Sequence, residues 1–120
     1  MPYEITYDKN IQFVKVCVYG KIDLPFVRGI ASEVVCLARY NSCDRILCDL
    51  READLELTSL DILSIPKIVT KAGLKPWSKR ALVVSADIDK YSLIETASRK
   101  KGQKVSIFRS IEEAKRWLLE

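Results

Sequence analysis

Residues 80–118, RALVVSADIDKYSLIETASRKKGQKVSIFRSIEEAKRWL, read as strand, helix, strand, helix. The run RALVVS over 80–85 is short, apolar and β-branched, which fits a strand buried on both faces. Asp87 or Asp89 is placed to cap a helix that runs to about Lys101, and Gly102 ends it. The run KVSIF over 104–108 is the next strand. Ser110 and Glu113 then make an S-x-x-E capping box, in which each side chain satisfies the other's free amide. Ile111, Ala114, Trp117 and Leu118 share one stripe of the final helix. Alternation of this kind predicts right-handed crossovers and parallel strand pairing.

Further back, RILCDL over 45–50 is another short apolar run, followed by the polar, acidic READLEL. Thr58 or Ser59 caps a helix running to about Lys71, and Ala72-Gly73 stops it. Pro66 inside that helix predicts a kink or a restart, because proline removes a donor and clashes with the preceding turn. Residues 24–39 form a helix with Asp23 as cap, Pro25 in the first turn and Ile30, Val34, Leu37 and Ala38 on one stripe. Residues 3–7 and 11–19 are strands joined by the turn chemistry of Asp8-Lys9-Asn10, and Gly20 ends this hairpin. The order is β-β-α-β-α-β-α-β-α. It predicts one α/β domain across residues 1–120, with a mainly parallel five-stranded sheet, an N-terminal antiparallel hairpin and about four helices.

Composition narrows the function. The chain has 120 residues, room for one domain, with 48% apolar and 30% charged residues, as in ordinary globular proteins. It has no histidine, which removes Ser-His-Asp and Cys-His catalysis and His-ligated metal. No apolar run approaches the ~20 residues that span a bilayer, and MPYEITYDKN has no signal-peptide pattern. The net charge is +4, unevenly spread: residues 1–60 carry 7 basic and 9 acidic side chains, residues 61–120 carry 13 and 7. The tightest basic cluster, Arg99, Lys100, Lys101 and Lys104, has no aromatic within it and flanks a glycine turn, so no nucleic-acid partner is expected. Cys17, Cys36, Cys43 and Cys48 contain no C-x-x-C pair and read as free thiols of a reducing cytoplasm. G-x-x-x-x-G-K-[ST], G-x-G-x-x-G and G-x-S-x-G are all absent, and no cofactor or metal is expected.

In such sheets, ligands meet the loops at the carboxyl ends of strands. Asp49 stands at one strand end, and Asp87 and Asp89 follow another. Thr58 and Ser59 lie at a helix N-terminus, where amides and dipole favour a phosphate or a plain cap. Trp77 is either an exposed contact residue or a cover over a core edge.

The hairpin ending in Gly20, RILCDLREADLELTSLDIL, RALVVS and KVSIFRSIEEAKRWLLE together resemble the SpoIIAA-like family, a branch of the STAS/SEC14-like α/β domains. The resemblance spans essentially the whole chain. Its most specific piece is the ending F-x-x-x-x-E-A-x-x-W-L, carried by Phe108, Glu113, Ala114, Trp117 and Leu118. The anti-sigma-factor antagonists among STAS domains have a strand ending in Asp-Leu and, about eight residues on, Asp-Ser-Ser-Gly, whose second serine a partner kinase phosphorylates. Asp49-Leu50 match the strand end, and Ser59 takes the phosphoserine position after Thr58. Leu57 and Leu60 replace the motif's Asp and Gly. The related lipid-transfer domains imply an apolar ligand cavity.

The leading expectation is a non-catalytic cytoplasmic regulatory module. It would bind a protein partner, such as an anti-sigma-factor-like kinase, near Asp49, Thr58 and Ser59. The alternative is a binder of a small apolar or anionic, lipid-like ligand, with Leu60, Leu63, Ile65 and Ile68 walling a pocket and Lys67 and Lys71 meeting a head group. A hydrolase or transferase using Asp49 and Asp87 ranks lowest. A homodimer through an exposed sheet edge is compatible with each.

Overall fold

The structure, a computed structural model, describes residues 2–120. In chain order the elements are β1 (Tyr3–Asp8), β2 (Phe13–Val18), β3 (Lys21–Ile22), α1 (Leu24–Tyr40), β4 (Arg45–Asp49), β5 (Asp54–Leu55), α2 (Ser59–Ala72), β6 (Lys79–Val83), α3 (Ile88–Lys100), β7 (Lys104–Phe108) and α4 (Ile111–Leu119). The main sheet has five strands in the order β1-β2-β4-β6-β7. β1 is antiparallel to β2, and every other neighbour pair in it is parallel. The α/β architecture, the hairpin and the mainly parallel five-stranded sheet are those read from the sequence.

The strand order never reverses, so crossovers of one hand stack α1, α2 and α3 on a single face. Their apolar stripes meet Val14, Val16, Ile46, Leu82 and Val105 of the sheet in the larger core. α4 covers the opposite face alone, packing Ala114 and Leu118 on Phe13, Leu47, Ala81 and Val83. Trp117 leans on Phe108 with ring centroids 5.7 Å apart. Lys79 sits 5.1 Å from the Trp117 ring and donates to the carbonyls of Trp117 at 3.0 Å and Glu120 at 3.1 Å. That ties the C-terminal end of α4 to the start of β6.

Several local expectations are corrected. β3 and β5 form a separate two-stranded parallel ribbon, where the sequence suggested only loops. Two residues each are too few to show a period, and pairing is fixed by Asp54 N–H donating to Gly20 O and Glu56 N–H to Ile22 O. α2 runs through Pro66 without a restart. Pro66 is buried, and its carbonyl accepts from the Thr70 hydroxyl at 2.9 Å. The complete capping box belongs to Thr58 and Asp61 rather than to Ser110 and Glu113. Thr58 Oγ1 accepts from Asp61 N–H at 3.1 Å, and Asp61 Oδ2 accepts from Thr58 N–H at 3.0 Å. Ser110 accepts from Glu113 N–H at 3.4 Å, without the return bond. Asp87 holds the N-cap position of α3, but with φ 52° and no side-chain cap bond. Gly73, at φ 105°, ends α2 in the left-handed conformation expected of a glycine stop.

Among the described residues no helix is long and apolar enough to cross a membrane. All four cysteines are free thiols.

The attachment of α4 is testable. Leu118 is 1% exposed and Leu119 is 50% exposed. Leu118→Ala is expected to lower unfolding free energy by about 2–5 kcal/mol in urea titration. Leu119→Ala is expected to change it by about 0.5 kcal/mol or less. Equal effects would mean that α4 is not docked through Leu118.

Candidate functional site

Between the main sheet and the three-helix layer lies an apolar cavity of about 150 Å³. Val16 and Val18 of β2, Phe26 and Ile30 of α1, and Ile65 and Val69 of α2 are among its walls. Among the described residues, Cys48, Arg80 and Tyr91 also line it, but the cavity surface is almost wholly apolar, so Arg80 and Tyr91 meet it with carbon atoms rather than with their polar heads.

Arg80 reaches this face by strand alternation. It stands in register with Ile46 and Val105, whose side chains belong to the larger core, and two residues before Leu82. The side chain is 9% exposed. Its Nη2 donates to Gln103 Oε1 at 2.9 Å and to Ser98 Oγ at 3.3 Å. Gln103 Nε2 in turn donates to Pro66 O at 2.8 Å and Thr70 Oγ1 at 3.0 Å. One chain of bonds therefore links β6, α3 and α2. Burial pushes the guanidinium down to about 10, with a nearby Cys48 opposing that shift, so it stays charged at neutral pH. Among the described residues no carboxylate lies within ion-pair distance of it.

Tyr91 is 2% exposed, and its buried hydroxyl has no hydrogen-bond partner. Burial pushes it up to about 12. Burial pushes the Cys48 thiol up to about 11, against the pull of Arg80. Cys48 keeps some accessible surface because it lines the cavity. At neutral pH the guanidinium is therefore charged, and the phenol and the thiol are neutral.

The residues singled out in the sequence lie elsewhere. Leu60 and Leu63 are 80% and 55% exposed, and Lys67 and Lys71 are exposed as well. These four follow one outward stripe of α2, while Ile62, Ile65 and Val69 follow the inward one. The cavity is walled by that inward stripe, and Ile65 is the member the sequence also named. Ser59 is the exposed first residue of α2, directly after its cap Thr58. Asp49 is two residues after Leu47 on β4 and so shares its face, the α4 side, away from the layer that holds Ser59. Arg51 grips it with Nε and Nη2, both at 2.9 Å, and these bonds hold the Asp49 carboxyl below the usual range. Asp87 stands at the N-cap of α3 without a side-chain cap bond. Trp77 is 56% exposed, with Lys75 Nζ 6.0 Å from its ring centre. Among the described residues no group of three or more Cys, Asp or Glu is placed to hold a metal ion.

The sequence reading missed Arg80, Tyr91, Ser98 and Gln103. One signal was available. Arg80 opens a run otherwise read as buried on both faces, so its head must meet polar partners inside or leave the sheet.

No family model matches the sequence, and no characterised protein does so by sequence similarity. Among solved structures, an uncharacterised protein of the DUF3478 family from Shewanella loihica, described as having a SpoIIAA-like fold, is similar at TM-score 0.60. The two are 15% identical, and the match covers 97% of this chain and 91% of that one. The chain therefore has a SpoIIAA-like fold, a likeness of architecture at that identity.

Thiol chemistry checks the cavity wall. Cys36 is exposed, whereas Cys48 is shielded and its raised pKa keeps it protonated at neutral pH. Peptide mapping after brief iodoacetamide treatment is expected to find Cys36 modified and Cys48 intact until the protein is denatured. Fast native labelling of Cys48 would mean that bulk water fills the cavity.

Proposed function

We propose that the protein is a non-catalytic binding module of the STAS-like type that holds a small, mainly apolar molecule in the cavity beneath α1 and α2. The cavity itself carries this reading. Close-packed interiors hold few voids larger than a water molecule. An apolar recess of about 150 Å³ in such an interior leaves its walls short of packing partners. An occupant offsets that loss. An engineered apolar cavity of about the same volume takes up benzene, so the space fits a ring-sized body rather than a whole lipid chain. The bidentate tie between Asp49 and Arg51 also supports a binding role, since it occupies the carboxylate that acid–base chemistry would use.

Toluene is the simplest probe. Titration followed by amide chemical shifts is expected to move Ile65, Val69 and Leu82 at millimolar toluene. Ala31→Leu, which places extra methyl groups into the same space, is expected to abolish those shifts while keeping a folded spectrum. Unmoved shifts in the wild-type protein would remove the ligand reading.

The exposure of Leu60 and Leu63 next to Ser59 favours a second reading, a protein partner docking on the start of α2. A kinase partner would then act on Ser59. The free amides of the first turn favour a phosphate there, and the Asp61 carboxylate opposes it. Ser59→Asp is expected to weaken capture of the partners that the wild-type protein retains. Unchanged capture of every partner would eliminate the switch.

A further inference from the structure

The two outer edges of the main sheet are treated differently. On β7, Phe108 O faces β6 and accepts from Val84 N–H, so Val105 and Ile107 turn their backbone groups outward. Side chains of α3 occupy the middle of that edge. Arg99 Nε donates to Val105 O at 2.9 Å, and Glu95 Oε2 accepts from Ile107 N–H at 2.9 Å. Arg99 Nη2 also donates to Ser106 Oγ at 3.3 Å and lies 3.7 Å from Glu95 Oε2. A strand arriving at β7 would have to displace both side chains. β1 has no such clamp. Tyr19 N–H donates to Pro2 O at 2.7 Å, which with the register makes Glu4, Thr6 and Asp8 the residues that bond β2. Tyr3, Ile5 and Tyr7 therefore turn their N–H and C=O groups outward, and among the described residues none of these groups has a partner. The Tyr3 ring meets Phe26 edge-on at 5.5 Å and its hydroxyl donates to Glu33 at 2.7 Å, which anchors the strand to α1. Proteins ordinarily blunt an open edge of this length, as this one does at β7.

We propose that β1 pairs with β1 of a second copy, antiparallel about a two-fold axis at Ile5, joining the two main sheets into one. This stands apart from the cavity reading. The charges on β1 select the register. With the axis at Ile5, Tyr3 faces the second copy's Tyr7, Ile5 faces Ile5, and Glu4 faces Thr6, so every outward N–H and C=O from Tyr3 to Tyr7 finds a partner. Moving the axis by one residue sets Glu4 directly against Glu4, or Glu4 against Asp8, and like charges so placed repel. The chosen register also places a cation. Lys15 stands opposite Thr6 on β2, so Lys15, Thr6 and the second copy's Glu4 form one row across three strands, and the lysine can reach over the short threonine to the carboxylate. α4 packs on β4, β6 and β7 and leaves this row uncovered. A foreign strand would need a sequence made to match; a second copy supplies the match twice by symmetry.

Analytical ultracentrifugation of the full chain is expected to find twice the 13.7 kDa chain mass at about 100 µM. Thr6→Glu changes an exposed side chain but sets a carboxylate directly opposite Glu4 at two places, and is expected to weaken the dimer about tenfold. Adding Glu4→Lys to that variant is expected to restore it. Amide exchange of the wild-type protein gives a readout that no folding defect can mimic. As concentration rises, the N–H groups of Ile5 and Tyr7 are expected to slow about tenfold or more, while Ile107 N–H, already held by Glu95, stays level. A monomer at that concentration, an assembly that keeps growing beyond two chains, or a dimer in which Ile5 exchange does not slow would each overturn the proposal.

Discussion

β4 has no polar face at its centre. Ile46 and Leu47 are adjacent, point to opposite sides of the sheet, and are 2% and 0% exposed. A strand of that kind must be covered twice, and the crossovers supply cover to one side only. Three helices therefore gather over Ile46, and the task of covering Leu47 falls to α4. This inequality shapes the molecule. The thin side is closed by Ala114 and Leu118 of α4, which share one cluster with Phe13, Leu47, Ala81 and Val83. The thick side must fill the space beneath two long helices whose inward residues are mostly Val, Ile and Ala, and it does so incompletely.

The buried arginine belongs to the same problem. Position 80 points inward by its place in β6, in register with Ile46 and Val105. Ser98, Gln103, Thr70 and Pro66 supply its surroundings from α3, the turn after α3, and α2. The network fastens those elements together around a buried guanidinium.

Much of this architecture was legible in the sequence. Short β-branched runs alternating with caps and glycine stops gave every strand of the main sheet and all four helices. Asp23 caps α1 as its position implies, accepting from Phe26 N–H at 2.9 Å. The failures were local or volumetric. β3 and β5 are too short for periodicity to register. Asp61 can stand in for Glu in a capping box because its carboxylate still reaches back to the Thr58 amide, a matter of geometry rather than residue type. On α2 the leucines chosen for a pocket wall were apolar, but the stripe that turned inward held Ile62, Ile65 and Val69. A cavity is a small difference between the volumes of many side chains and the space the backbone encloses, and no single residue encodes it. Asp49 and Ser59 are close in sequence, yet the pleat of β4 turns Asp49 toward the α4 side while Ser59 opens α2 in the opposite helix layer.

The dependence of one side on α4 also has a consequence for local opening. α4 takes no part in strand pairing, so it can lift away while all five strands stay joined. Phe13, Leu47, Ala81 and Val83 then present a greasy strip to water, flanked by the unpaired edges of β1 and β7. Self-association thus starts from a molecule whose sheet is intact, through the face that one short helix covers.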